Sequence, residues 1–317
     1  MSGINLTGFS LLGSMRGNYD ICHMHWPDWV IVPASPWQAY SRTFLLMISL
    51  AVRKARGTKI IWTVHNLKPH QYRSALRERI LYTGLSHLVD HQIHLTEGTS
   101  YEMEHLVHPC RRTPSTVIPH GLLANPQSFP DKLDARLELG LEESCRIYLF
   151  FGGIDEYKGV DALIEAFRKF PDTGSRLIVV GKPSSRTIER SLENLADGDR
   201  RITLDLRFQR PSELRRIIAA SDVVTLPYRT GLNSGSVYLA LAARRRVLVP
   251  STPTFEAVAR QVGSGWVHTF RGNIASRDFE RVAISSTSEP SVPHVPSWLD
   301  ISEQTRALYC RLVACGS

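Results

Sequence analysis

Short runs of β-branched and aliphatic residues alternate with amphipathic helical stretches along almost the whole chain. That alternation is what parallel sheets built from βαβ units impose, and it makes the fold class α/β throughout. In the first half, residues 20–26, 59–64, 91–96 and 115–118 read as strands, with a helix over 41–56. In the second half, strands are expected over 146–151, 176–180, 201–206, 222–226 and 247–249, alternating with helices such as 160–170 and 212–220. A chain of 317 residues exceeds what one core usually serves, so two Rossmann-like domains are expected. The Pro/Gly/Asn-rich segment 119–130 separates the halves. The expected order is therefore a domain over 1–120, a linker over 121–130, a second domain over 131–285, and a Ser/Pro-rich tether with a terminal helix over 286–317.

Apolar residues at 43% and charged residues at 21% are ordinary for a globular protein and exclude disordered, collagenous and coiled-coil classes. The net charge of +8 favours anionic partners: nucleotides, acidic lipid surfaces or nucleic acid. No aromatic-plus-basic motif of the known nucleic-acid modules occurs, so nucleic acid is not expected. Cys22, Cys110, Cys145, Cys310 and Cys315 form no C-x-x-C pair and are odd in number, which fits a reducing cytoplasmic compartment. The longest apolar stretch, residues 44–52, is far short of the roughly 20 residues a membrane span needs. The first fifteen residues lack a cationic start, so export is not expected.

Ligands of open parallel sheets bind beyond the carboxyl ends of the strands, and the polar candidates gather at those exits. In F-G-G-I-D-E-Y-K-G (151–159) a buried strand breaks at Gly152 and Gly153, and Lys158 stands just before a helix. In L-P-Y-R-T-G-L-N-S-G-S (226–236) Tyr228 is followed by Asn233, Ser234, Gly235 and Ser236, which open an apolar helix over 237–243 ending in three arginines. The free amides of such a helix start can hold a diphosphate, and ordinary N-capping by Asn or Ser is the alternative. Lys158 suits phosphate, or else is a solvated lysine in a strand-to-helix turn.

In H-M-H-W-P-D (23–28), His23 and His25 alternate on one strand face, followed by Trp26 and Asp28. An H-x-H pair lacks a third ligand at a definable position, so no metal is expected. Asp28 at a strand exit is suited to take a proton from a sugar hydroxyl, or else to cap a turn. His65, Asn66 and Glu97 follow two further strands and can bond a sugar or cap a helix. Residues 53–79 carry eight Lys/Arg against one Glu, just after Phe44, Leu45, Leu46 and Ile48, which suits an anionic membrane surface or a solvated helix face.

Together F-G-G-I-D-E-Y-K-G-V, L-I-V-V-G, A-S-D-V-V-T-L-P-Y and the small-residue helix resemble, in order and spacing, the donor-nucleotide domain of GT-B glycosyltransferases. More narrowly, Y-D-I-C-H-M-H-W-P-D, V-H-N-L-K-P-H, I-P-H-G, V-T-L-P-Y-R-T-G-L-N-S-G-S and V-G-S-G-W-V resemble the xanthan-type glycolipid β-mannosyltransferase family, over residues 15–270. The resemblance implies two Rossmann-like domains facing across a cleft. It also implies metal-independent, inverting transfer of a sugar from a nucleotide-sugar donor, GDP-mannose, to a lipid-linked oligosaccharide in exopolysaccharide assembly, peripheral on the inner face of the membrane. On that reading Asp28 is the base, with His25 as its alternative. Lys158 and the 233–236 helix start hold the diphosphate, and His65 meets the donor sugar. Gly181, Lys182, Arg207 and Phe208 line the base and ribose pocket, and Trp26, Asn66, Glu97 and His120 are sugar or acceptor contacts.

Two departures stand out. The retaining GT-B families carry E-x7-E before the small-residue helix and an arginine five residues before the lysine. Here Gly231, Leu239 and Gly153 hold those positions, which favours inversion. Only about nineteen residues precede the first predicted strand, so the first domain is expected to lack its first βα unit or the reading frame to start late. These departures keep two alternatives open: a soluble metabolite as acceptor, and a catalytically silent remnant.

Overall fold

The computed structural model describes residues 4–8, 17–32, 35–65, 74–105, 112–230, 233–285 and 292–314. The chain divides into two compact units, Met1–His120 with Pro296–Ser317, and Gly121–Val295.

The first unit holds a four-stranded parallel sheet of β1 (Ile21–Met24), β2 (Lys59–Val64), β3 (His91–His94) and β4 (Ser115–Val117), in that order. Ile21 lies beside Lys59, Ile61 beside His91, and Gln92 beside Ser115. β2 is buried in all but its first residue, as an interior strand covered on both faces must be. Helices α1 (Pro36–Ala55), α2 (Ala75–Leu88) and α3 (Glu97–His105) connect these strands. Helix α1 buries Ala39, Thr43, Leu46, Leu50 and Arg53, a stripe at helical spacing. Helix α2 comes close to α1 at Gly84, where an added Cβ would lie 2.5 Å from the Met47 sulfur.

The second unit holds six parallel strands: β5 (Arg146–Phe151), β6 (Ser175–Val180), β7 (Ile202–Asp205), β8 (Val223–Thr225), β9 (Arg246–Pro250) and β10 (Val267–Phe270). Its helices are α4 (Lys132–Glu138), α5 (Val160–Arg168), α6 (Arg186–Ala196), α7 (Pro211–Ala220), α8 (Gly235–Ala242), α9 (Pro253–Val262) and α10 (Ser276–Ser285). The spatial order β10-β9-β8-β5-β6-β7 shows the chain leaving β5 in one direction and returning to β8 on its other side. The carboxyl ends of β5 and β8 are thus a topological switch point, where such sheets open a crevice. Beneath it, Tyr148, Phe167, Phe170 and Phe279 pack as an aromatic cluster with centroids 5.0–6.0 Å apart. Asp222 fastens α4 to this sheet by accepting from Lys132 at 2.5 Å, Arg136 at 2.7 Å and the Ile147 amide at 2.7 Å.

Helix α11 (Trp298–Ala314) returns to the first unit, where Leu308 joins Ile61, Ile93 and Ile118 in one apolar cluster. The sequence suggested only a terminal helix on a tether, because nothing local signals a docking site so distant in the chain. Residues 121–130, expected as a linker, belong to the second unit, and Leu122 and Phe129 pack on its core. A sixth strand, β10, appears where none was expected, because its V-H-T-F run is too short and polar to stand out. The three arginines after α8 do not extend it: the helix ends at Ala242, Arg244 turns with φ 55°, and Arg246 opens β9.

Gly181 tests this packing, because at φ 144° an added Cβ would stand 1.8 Å from the Gly152 carbonyl oxygen. Gly181→Ala is expected to destabilise the protein by at least about 2 kcal/mol, read as a lower thermal midpoint in calorimetry.

Candidate functional site

At the switch point the chain leaves β5 through Gly152, at φ 119°, and Gly153, and leaves β8 through Leu226, Pro227 and Tyr228. Helix α8 begins beside this turn, so that a Cβ on Gly152 would lie 4.0 Å from the Ser236 hydroxyl. Ser234 is the N-cap residue of α8, yet its side chain makes no capping bond. Its hydroxyl instead meets the buried Tyr228 hydroxyl at 3.0 Å. Capping by Ser234 is therefore not what this residue does. The Tyr228 ring also carries the Lys158 ammonium, 4.0 Å from its centroid, and Tyr157 flanks the same ammonium at 4.9 Å. Among the described residues Lys158 has no carboxylate within ion-pair distance. Its charge is held by ring quadrupoles and is available to an anion.

This arrangement depends on a second close approach. Gly159, at φ 66°, leaves no room for a side chain, because a Cβ there would stand 2.3 Å from the Pro227 carbonyl oxygen. Arg229 locks the same two loops together. Its amide donates to the Tyr157 carbonyl at 2.8 Å, and its guanidinium donates to the Glu156 carbonyl at 2.7 Å and to Asp161 at 2.6 Å. Sequence reading did not single out Tyr157, Asp161 or Arg229. Tyr157 and Arg229 lie inside the two motifs, and Asp161 lies two residues beyond the first.

The remaining donor candidates follow β6 and β7. Gly181 is buried against the Gly152 turn, and Lys182 beside it is exposed. Arg207 is engaged by Asp205 at 3.0 Å and Glu213 at 3.3 Å, which leaves Phe208, 73% exposed, as the open ring at that exit.

In the first unit the exits of β1 and β2 bring His23, His25, Trp26 and His65 together. His23 and His25 stack at 4.5 Å, the His25 and His65 ring nitrogens meet at 3.0 Å, and Trp26 stacks on His65 at 4.3 Å. Burial is the main cause that pushes His65 down to about 4, with His25 and then His120 adding to it. Burial likewise takes His23 down to about 3, followed by the nearby His25 and His65, so these rings are neutral at pH 7. Both nitrogens of His23 are occupied, by Tyr309 at 2.5 Å and Thr63 at 2.7 Å. Among the described residues no three His, Cys, Asp or Glu side chains gather as a metal set. Asp28 sits in the first turn of a short 3-10 helix, Pro27–Val30, half-buried and directly after this cluster. His120 meets the Trp298 ring at 5.7 Å. Glu97 is exposed in the first turn of α3, where a carboxylate complements the helix dipole. Asn66 lies outside the described residues.

A doubly wound sheet with glycine-lined exits, a lysine away from carboxylates and a helix start at its switch point is the arrangement of an enzyme class that handles phosphate-bearing ligands. Residues 145–272 match the family described as Glycosyl transferases group 1. Sucrose-phosphate synthase from Thermosynechococcus elongatus shares the fold, with a TM-score of 0.71, 18% identity, and coverage of 96% of this chain and 76% of that one. WaaG, a glycosyltransferase involved in lipopolysaccharide biosynthesis, shares it at a TM-score of 0.56 and 15% identity, covering 89% and 80%. The fold is GT-B.

The GDP-mannose:glycolipid 4-beta-D-mannosyltransferase of Xanthomonas campestris pv. campestris is 31% identical over 264 residues, 83% of this chain and 70% of the relative. A D-inositol 3-phosphate glycosyltransferase of Corynebacterium urealyticum is 27% identical over 197 residues, 56% of this chain and 45% of that protein. The chain belongs to the family of the Xanthomonas enzyme, within the group 1 glycosyl transferases, and is a hexosyltransferase.

The neutral histidines give the fold a pH dependence of definite sign. His23 and His65 titrate near 3 and 4 when folded and near 6.5 when unfolded, so the unfolded chain binds more protons between those values. Stability is expected to be full above about pH 6.5 and to fall as the pH drops towards 4. Calorimetry should show a midpoint lower by at least about 3 °C at pH 5 than at pH 7.5, and a His65→Gln variant should lose part of that slope.

Proposed function

We propose that the chain transfers mannose from GDP-mannose to a hydroxyl of a lipid-linked glycan, with inversion at the anomeric carbon and without a metal ion. The observation that carries this reading is the convergence of Lys158, Tyr228, Ser234 and the first turn of α8 on the Gly152 turn. The family relation supports the donor and the acceptor class, since the Xanthomonas relative is named for GDP-mannose and a glycolipid.

In the proposed reaction the acceptor oxygen attacks the anomeric carbon as the bond from that carbon to the diphosphate oxygen breaks. The bonding pair leaves with GDP, and the acceptor proton passes to Asp28, with His25 as the alternative base. The diphosphate gains negative charge as it departs. Lys158 and the positive end of α8 lie in the second unit to meet that charge, which is the work a metal would otherwise do. Phe208 offers a face to the guanine. His65 and Trp26 offer polar and stacking contacts to the sugar, and Glu97 and His120 offer hydrogen bonds to the acceptor. Inversion is favoured because Gly231 and Leu239 stand where retaining relatives carry glutamates.

A lipid acceptor is favoured over a soluble metabolite by the outer face of α1. Opposite its buried stripe, Trp37, Ser41, Phe44, Ile48, Ala51 and Ala55 form an uncharged exposed face, with Trp37 84% and Phe44 64% exposed. Exposed Arg42 and Arg56 flank it, and Leu76, Arg79 and Ile80 are exposed on α2. Leu46, grouped with this apolar run in the sequence, is instead in the core at 1% exposure. Among the described residues no helix is long and apolar enough to cross a membrane. An apolar face flanked by cations suits shallow attachment to an anionic leaflet.

Calorimetry in EDTA should show GDP binding, weakened about tenfold or more by Lys158→Ala. Failure of GDP, UDP and dTDP to bind at millimolar concentration would end the enzyme reading. Asp28→Asn should lower GDP release from GDP-mannose by about 10²-fold or more while GDP affinity stays within about twofold. The protein should sediment with phosphatidylglycerol vesicles and not with phosphatidylcholine vesicles, and Trp37→Ser/Phe44→Ser should abolish the sedimentation.

A further inference from the structure

The last helix is linked to the histidine cluster by a hydrogen bond spanning 286 residues of sequence, between Tyr309 on α11 and Nδ1 of His23. His23 lies on β1 and its other nitrogen, Nε2, meets the hydroxyl of buried Thr63 on β2 at 2.7 Å. A neutral imidazole has one donor and one acceptor nitrogen, and a hydroxyl can complement either, so the two hydroxyl partners fix its ring plane. That plane is the surface on which His25 stacks at 4.5 Å, with the rings 28° apart. His25 in turn holds Nε2 of His65 at 3.0 Å, and Trp26 closes over His65 at 4.3 Å. The rings therefore form a column that starts on α11 and ends at the two histidines placed at the strand exits.

We propose that Tyr309 and His23 are positioning residues, and that the docked C-terminal helix sets the ring orientation of His25 and, through it, of His65. Several features fit this role. Tyr309 is a partly buried member of the apolar cluster built by Leu308, Ile61, Ile93 and Ile118, so its backbone position is fixed by packing and not by the hydroxyl. The phenol is pushed up to about 12 by burial and keeps its proton at working pH, so it remains a hydroxyl partner of His23 throughout. Thr63 lies one residue before Val64 and two before His65, so the contact to His23 also ties the strand that carries His65. An exposed imidazole pair alone rotates freely; a pair stacked on a doubly anchored ring does not, and that pre-organisation is what a sugar contact needs.

The significance for catalysis rests on the reading of His25 and His65 as sugar or proton contacts, and the experiment separates the two claims. Tyr309→Phe keeps the ring and the apolar packing and removes only the hydroxyl; Thr63→Val does the same at the other nitrogen. With ¹⁵N-labelled histidine, both variants should shift the ring-nitrogen resonances of His25 and His65, while the thermal midpoint stays within about 3 °C and GDP affinity within about twofold. GDP release from GDP-mannose should show kcat reduced about tenfold with KM for the donor nearly unchanged, and the acid limb of the pH profile should move. Unaltered His25 and His65 resonances in both variants would overturn the proposal. Shifted resonances with normal turnover, together with normal turnover in His25→Ala and His65→Ala, would uphold the positioning and refute the catalytic reading of those histidines.

Discussion

At the carboxyl end of the second sheet, backbone stands where side chains would be. The Gly152 carbonyl oxygen would lie 1.8 Å from a Cβ on residue 181, and the Pro227 carbonyl oxygen 2.3 Å from one on residue 159. These two contacts draw the exits of β5, β6 and β8 into one small region lined by main chain. An anion that must be grasped by amides and a helix start needs that bareness, because any Cβ there would hold it at a distance. Lys158, Tyr228 and Ser234 add charge and polarity only after the glycines have set the backbone.

The cations of the second unit are sorted by partner. Arg136, Arg201, Arg207 and Arg229 each face a carboxylate and serve as braces: Arg136 to α4 and its sheet, Arg201 to the turn after α5, Arg229 to the two motif loops. Lys158 faces two aromatic rings instead. A brace with its counter-ion in place offers little to a passing phosphate, whereas an ammonium on a ring keeps most of its field. The net charge of +8 says that the protein attracts anions. The aromatic setting of Lys158 is the reason for proposing that one is received there.

Much of this was legible in the sequence for a simple reason. A parallel strand is written by five or six adjacent residues, and its exit by the glycines that follow, so β2, β5, β6 and the motifs after them announce themselves locally. The GT-B class came from the resemblance that those motifs carry in their order and spacing. What stayed hidden was written by residues far apart. The pairing of Tyr309 with His23 leaves no local trace, nor does the docking of α11 beneath the first sheet's apolar residues. The V-H-T-F of β10 is a strand only because β9 is beside it. Helix α1 shows a further limit: an apolar run such as Phe44–Leu45–Leu46 does not say which of its members the core will take, and only Leu46 is taken.

The two units answer opposite electrostatic problems, and the histidine cluster makes sense in that light. Three imidazoles within stacking and hydrogen-bonding distance could not all carry charge, and burial together with mutual repulsion keeps His23 and His65 neutral at pH 7. A neutral imidazole can both donate and accept, which matches the hydroxyls of a sugar, where each oxygen does the same. On the proposed reading it also places no cation in the first unit's cluster to compete with Lys158 for a diphosphate. On the proposed reading, neutrality of the histidines lets one chain recognise an anion in one unit and handle a hydroxyl in the other. It is bought with burial, and the hydroxyls of Tyr309 and Thr63 keep the buried ring of His23 satisfied.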